Sequence, residues 1–98
     1  MSGPLGDQQR RVDEWIRTVG VRYFSELTNT PILREEVGAL AGHMTSRYGD
    51  QSFKKGEEDF DLGDALADVL FVLLCLANQT GVDLDAAFVK AMAKKTQR

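Results

Sequence analysis

Asp61-Leu62-Gly63-Asp64-Ala65-Leu66-Ala67-Asp68-Val69-Leu70-Phe71-Val72-Leu73-Leu74-Cys75-Leu76-Ala77 is the segment that decides the fold. It is apolar on nearly every side at helical spacing, and a helix apolar all round belongs at the centre of its assembly. Its continuous apolar part, Val69 to Ala77 extended back to Ala65, holds about 13 residues against the roughly 20 that cross a bilayer, so the expectation is a core helix and no membrane span. Asp61 stands where an N-cap would, and Asn78-Gln79-Thr80-Gly81 supplies the stop.

Working outward, three more helices are expected. After Gly81, Asp83 caps a helix in which Leu84, Ala87, Phe88 and Ala91 repeat at i, i+3, i+4 and i+7, ending in the basic group Lys90, Lys94, Lys95 and Arg98. Before the central segment, Thr30-Pro31 reads as a helix start, with Thr as N-cap and Pro in the first turn. Leu33, Val37, Leu40, Ala41 and Met44 form its apolar stripe, and Gly49 its end. The first helix begins near Asp7, carries Val12, Trp15, Ile16 and Val19 on one face, and stops at Gly20. Residues 1–6 read as a flexible tail without the apolar core of a secretory signal, and residues 7–98 as one domain. Asp50 to Asp61 reads as a polar loop. No strand alternation is present, so the class is all-α, with a four-helix bundle-like subunit. The central helix offers more apolar surface than three short neighbours cover, which points to a homo-oligomer, a dimer or tetramer.

The 98-residue chain carries 12 Lys and Arg against 15 Asp and Glu, a net charge of −3. That balance excludes nucleic-acid binding by bulk positive charge. The one cysteine, Cys75, excludes an internal disulfide and a cysteine zinc cluster, and a cytoplasmic setting is expected. Lying in the apolar run, Cys75 reads as a buried inert thiol.

Two carboxylates are out of place. Glu36 lies one turn from both Leu33 and Leu40, and Asp68 interrupts the most apolar segment. A buried carboxylate without a partner costs several kcal/mol, so such groups are paired, neutralised or bound to a cation. Facing each other across a bundle, they would make an oxygen site suited to Mg²⁺. Pairing with Lys or Arg in a purely structural network is the competing reading, and the pattern leaves both open. Asp61, Asp64 and Asp68 share a stripe that could extend an acidic site. The stretch from Arg47 to Lys55 mixes cations with aromatics, as a nucleotide site or a plain solvated loop would. His43 shows no catalytic arrangement in the sequence pattern and reads as a helix-surface or flank residue.

At these residues the chain resembles MazG-type nucleotide pyrophosphohydrolases of the all-α NTP pyrophosphatase superfamily. The resemblance spans about residues 8 to 98 and rests on Val12-Asp13-Glu14-Trp15-Ile16, Leu33-Arg34-Glu35-Glu36-Val37-Gly38, Asp61 to Leu70, and Leu76 to Leu84. It implies Mg²⁺-dependent hydrolysis of a nucleoside triphosphate, such as a dNTP, to the monophosphate and pyrophosphate. It further implies four metal-binding carboxylates, Glu-x-x-Glu on the second helix and Glu-x-x-Asp on the third. Here those positions are Glu36, Ala39, Ala65 and Asp68, so two of the four acids are alanine. Glu35 projects about 100° from Glu36, and Asp64 lies on the far flank of Asp68 from Ala65, so both are displaced substitutes. The resemblance also implies nucleotide contacts from Trp15 and Asn29, and phosphate contacts from Lys54, Lys94, Lys95 and Arg98. Trp15 on an apolar stripe is more often a core residue.

Three functions follow from these residues: an Mg²⁺-dependent pyrophosphohydrolase impaired at Ala39 and Ala65; a catalytically silent nucleotide- or metal-binding homologue, or an engineered variant; and a helical oligomerisation module without a ligand.

Overall fold

The computed structural model describes residues 3–20, 22–48 and 61–97. It contains four helices, α1 (Pro4–Thr18), α2 (Glu26–Tyr48), α3 (Leu62–Thr80) and α4 (Leu84–Thr96). α2 packs on α3, α3 on α1, and α1 on α4, so in space the helices run in the order α2, α3, α1, α4.

The ends of α3 and the start of α4 follow their local signals. The Asp61 carboxylate accepts from the N–H groups of Gly63 (2.8 Å) and Asp64, Gly81 closes α3 in the left-handed conformation at φ 74°, and the Asp83 carboxylate accepts from Asp85 and Ala86 N–H. These are orphan donors of a first helical turn met by a short acidic side chain.

Two helix starts differ from expectation. α2 begins at Glu26 rather than at Pro31, because Ser25 takes the capping position: its hydroxyl accepts from Thr28 N–H at 3.1 Å and its carbonyl from Asn29 N–H at 2.9 Å. Pro31 is therefore inside the helix, where it forfeits one backbone bond on an exposed turn. α1 begins at Pro4, within the stretch expected as a tail. Its cap comes from α4, where the Asp85 carboxylate accepts from the N–H groups of Gly3 (2.8 Å), Leu5 (2.9 Å) and Gly6 (2.7 Å). Burial works upward on the Asp85 carboxyl, but the three N–H bonds outweigh it and hold the group below the usual carboxylate range.

The core is small. Val12 and Ile16 of α1 meet Leu74 and Cys75 of α3, with Tyr23 and Leu84 packed against them. Burial pushes the Cys75 thiol up, as the reading of an inert cysteine requires. α3 is central, yet Leu66, Leu70, Phe71 and Leu73 remain exposed, and so do Val37 and Met44 of the expected α2 stripe. Among the described residues, the second half of α2 meets too little to bury Val37 and Met44. At 19 residues α3 is, by length and composition alone, sufficient to cross a membrane, longer than its uninterrupted apolar part suggests. A core helix passes the same test, and here both α1 and α2 pack on it. His43, expected at the surface or flank, is buried.

A polar cluster joins α1, α3 and the start of α4. Gln9 is fully buried; its Nε2 donates to the carbonyl of Val82 (2.9 Å) and to Asn78 Oδ1 (3.2 Å), and its Oε1 accepts from Leu84 N–H (3.1 Å). Asn78 Nδ2 donates to the Gln9 carbonyl (2.9 Å) and to the Tyr23 hydroxyl (3.0 Å), which itself donates to Asp13 Oδ1 at 2.6 Å.

Candidate functional site

The antiparallel run of α2 and α3, with the connector after α1, encloses a cavity of about 420 Å³. Glu36 from α2 and Asp68 from α3 both line it. The structure thus brings together the two carboxylates singled out by their positions on apolar faces. Glu36 is half-buried, while Asp68, expected on the most buried helix, is exposed toward the cavity, which reduces the cost of its charge. Among the described residues neither makes an ion pair or a hydrogen bond to another side chain. Among the described residues, no structural ion pair holds either of them.

Trp15, Tyr23, Phe24 and Phe71 form the aromatic part of the wall. Trp15 is half exposed and meets the Phe71 ring edge-on, with centroids 6.1 Å apart and planes at 85°. It is a wall residue, not the core residue that its stripe also suggested; Val12 and Ile16 take the core positions. Such faces suit a flat aromatic ligand. Asn29 is buried and also lines the cavity, two helical turns before Glu36 on the same face of α2.

The Tyr23 hydroxyl belongs to the scaffold. Burial, then its bond to Asp13, pushes it up to about 12, so it stays protonated across the working pH range. It holds the connector against Asp13 and Asn78, and thereby places its neighbours Arg22 and Phe24 at the cavity.

Other expected site residues stand elsewhere. Glu35 and Asp64 are exposed and do not line the cavity, and among the described residues no group of three His, Cys, Asp or Glu side chains is placed to hold a metal. Ala39 is exposed and Ala65 is buried. Lys94 and Lys95 are exposed at the end of α4, which packs on α1 and away from the cavity. Lys54 and Arg98 lie outside the described residues, as does the polar loop from Asp50 to Phe60. Sequence reasoning missed Arg22, the exposed cation on the cavity wall, and the lining roles of Tyr23, Phe24 and Phe71. The mixed aromatic and polar content of residues 21–30 was the available signal.

The donor set fits one kind of metal occupancy. Two carboxylates in one open cavity fall short of a cage made by protein alone, but Mg²⁺ commonly takes one or two carboxylates and fills its other positions from phosphates and water.

A family model described as the MazG nucleotide pyrophosphohydrolase domain matches residues 24–98. YpjD of Bacillus subtilis, a protein described as uncharacterized, is 39% identical over 94 residues, which is 96% of this chain and 85% of that protein. A crystal structure of YPJD from Bacillus subtilis, described there as a candidate pyrophosphatase, superposes with a TM-score of 0.82 at 37% identity, covering 100% of this chain and 99% of the other. A Bacillus-conserved MazG protein, described as a nucleotide pyrophosphohydrolase, gives a TM-score of 0.74 at 34% identity over 96% of this chain and 91% of its own.

Proposed function

Because the chain belongs to the MazG nucleotide pyrophosphohydrolase family, we propose that its cavity binds a nucleoside triphosphate with Mg²⁺ and hydrolyses it slowly to the monophosphate and pyrophosphate. One observation carries this reading: Glu36 and Asp68, on two different helices and without ion-pair partners among the described residues, line one cavity with an aromatic wall. Stability alone gives no reason to aim two carboxylates at the same open space.

Each part of the cavity then has a task. The aromatic wall takes the base, and its apolar faces exclude water from that end. Glu36 and Asp68 hold the cation at the phosphate end, and Arg22 adds positive charge to a chain whose net charge is negative. When bound, Mg²⁺ supplies charge neutralisation on the phosphates and lowers the pKa of the attacking water. With alanine at 39 and 65, the chain leaves that cation with two carboxylates where the resemblance implies four, so we expect hydrolysis to be strongly reduced. The exposed apolar surface of α3 is the surface we expect a second copy of the chain to cover.

The test is pyrophosphate release from the four dNTPs in Mg²⁺, for the chain itself and for Ala39→Glu combined with Ala65→Glu. The double replacement should raise the rate at least about tenfold, roughly 1.4 kcal/mol of barrier. Because Ala65 is buried, the added glutamate should also make thermal stability depend on Mg²⁺. A chain that is already fast, and slower after replacement, would overturn the metal-site assignment. Binding of dNTP and Mg²⁺ by calorimetry without any turnover would favour the catalytically silent homologue.

A further inference from the structure

The amide of Asn29 can be oriented by reasoning from a group that has no choice. The backbone carbonyl of Phe24 can only accept a hydrogen bond, and Gln79 of α3 meets it, so the Gln79 Nε2 must face that carbonyl. The Gln79 Oε1 is then turned to Asn29, where it accepts from Nδ2 at 2.7 Å. Asn29 Nδ2 is thereby committed to Gln79, and Oδ1 is the atom left over. Asn29 is 5% exposed, Oδ1 has no hydrogen-bond partner among the described residues, and it is not sealed off from the cavity that Asn29 lines. A buried amide is thus held with an acceptor available to a ligand.

Position narrows the ligand group. Asn29 and Glu36 lie on one face of α2, seven residues and so about 10 Å apart along the helix axis. If the phosphates sit with the cation at Glu36 and Asp68, Asn29 is at the nucleoside end, beside Phe24 and Tyr23 on the wall. Cytosine and adenine carry an amino group, a donor, at the base corner where uracil and hypoxanthine carry a carbonyl oxygen. A fixed acceptor gains a bond with the first pair and faces oxygen with oxygen in the second.

Resting on the nucleotide-binding reading above, we propose that Asn29 Oδ1 selects nucleotides with an amino-bearing base, and that Gln79, tied to the Phe24 carbonyl, is the positioning residue that fixes this choice. Without Gln79 the Asn29 amide can turn over and offer N–H instead, so discrimination falls even where affinity survives.

The experiment is calorimetric titration of the full chain in Mg²⁺ with non-hydrolysable α,β-imido analogues of dCTP and dUTP, and of dATP and dITP. The amino-bearing member of each pair should bind at least about tenfold more tightly, about 1.4 kcal/mol. Gln79→Leu should bring both ratios close to one. Gln79→Glu gives up the bond to the Phe24 carbonyl, but both its oxygens can only accept, so Asn29 must still turn Nδ2 to it and the ratios should be kept. A Gln79 with only a structural role would weaken both members of a pair alike and leave the ratio unchanged, which would overturn the proposal. Equal binding of both members by the unaltered chain would overturn it without any variant, while leaving the nucleotide reading intact. Absence of binding by all four analogues would overturn the nucleotide reading together with it.

Discussion

Two stretches of α3 treat polar side chains in opposite ways. At its C-terminal end, Asn78 exchanges hydrogen bonds with Gln9 and Tyr23, and Gln79 bridges Asn29 and Phe24, so the polar groups are spent on holding α1, the connector and α4 in place. Near its N-terminal half, Asp68 faces Glu36 across a cavity with nothing among the described residues to pair either of them. Asp68 interrupts the apolar segment, whereas Asn78 and Gln79 follow its last residue, Ala77. The difference is whether the polarity is consumed inside the fold or left open, and only the open kind marks a site.

The comparison predicts a graded set of stability changes. The largest should come from Gln9→Leu, which removes the fully buried side chain that pairs the Val82 carbonyl and the Leu84 N–H, both part-buried. At about 1–3 kcal/mol for each unsatisfied group, a loss of roughly 3 kcal/mol is expected, read as a drop in the urea midpoint at unchanged slope. A loss below about 0.5 kcal/mol would mean that this end is not held by its polar groups.

Tyr23→Phe removes one bond to Asp13 and one from Asn78, and should cost about 1–2 kcal/mol in the same measurement. Acid titration tests the same link. The Tyr23 hydroxyl, and after it the Arg17 guanidinium, hold the Asp13 carboxyl below its usual range. A depressed carboxyl contributes stability that is complete above the ordinary Asp range and disappears as pH falls through the lowered value. Asp13→Asn should therefore flatten the decline of stability on the acid side and leave the slope near neutrality unchanged. An unchanged acid limb would exclude Asp13 as its source.

The smallest changes in stability should be those of Glu36→Gln and Asp68→Asn, within about 0.5 kcal/mol, because neither side chain supports the fold. The same variants should lose most of their affinity for nucleotide with Mg²⁺ by calorimetry. Marked destabilisation with retained binding would reverse the assignment of the two regions.

How much of this could be read beforehand follows the same division. The all-α class, α3 and α4 were legible because their signals are local: Asp61, Gly81 and Asp83 cap with groups a few residues away. Glu36 and Asp68 stood out because a carboxylate on an apolar stripe is conspicuous, and both line the cavity; Ala39 and Ala65 depart from what the resemblance implies, and neither lines it. The starts of α1 and α2 were not legible in this way. Pro31 looked like a first-turn proline, whereas the Ser25 cap places it well inside α2. Gln79, read as part of a helix stop, orients Asn29 from 50 residues away, which no periodicity can show.

The cap that Asp85 provides for the first turn of α1 has a consequence for the order of synthesis. Gly3, Leu5 and Gly6 are translated about 80 residues before the carboxylate that satisfies their N–H groups. The first turn of α1 must wait, frayed, for the start of α4 to be translated before it is capped. A nascent chain stalled before α4 should therefore be open to proteolysis at the first turn of α1, and synthesis of α4 should close that turn.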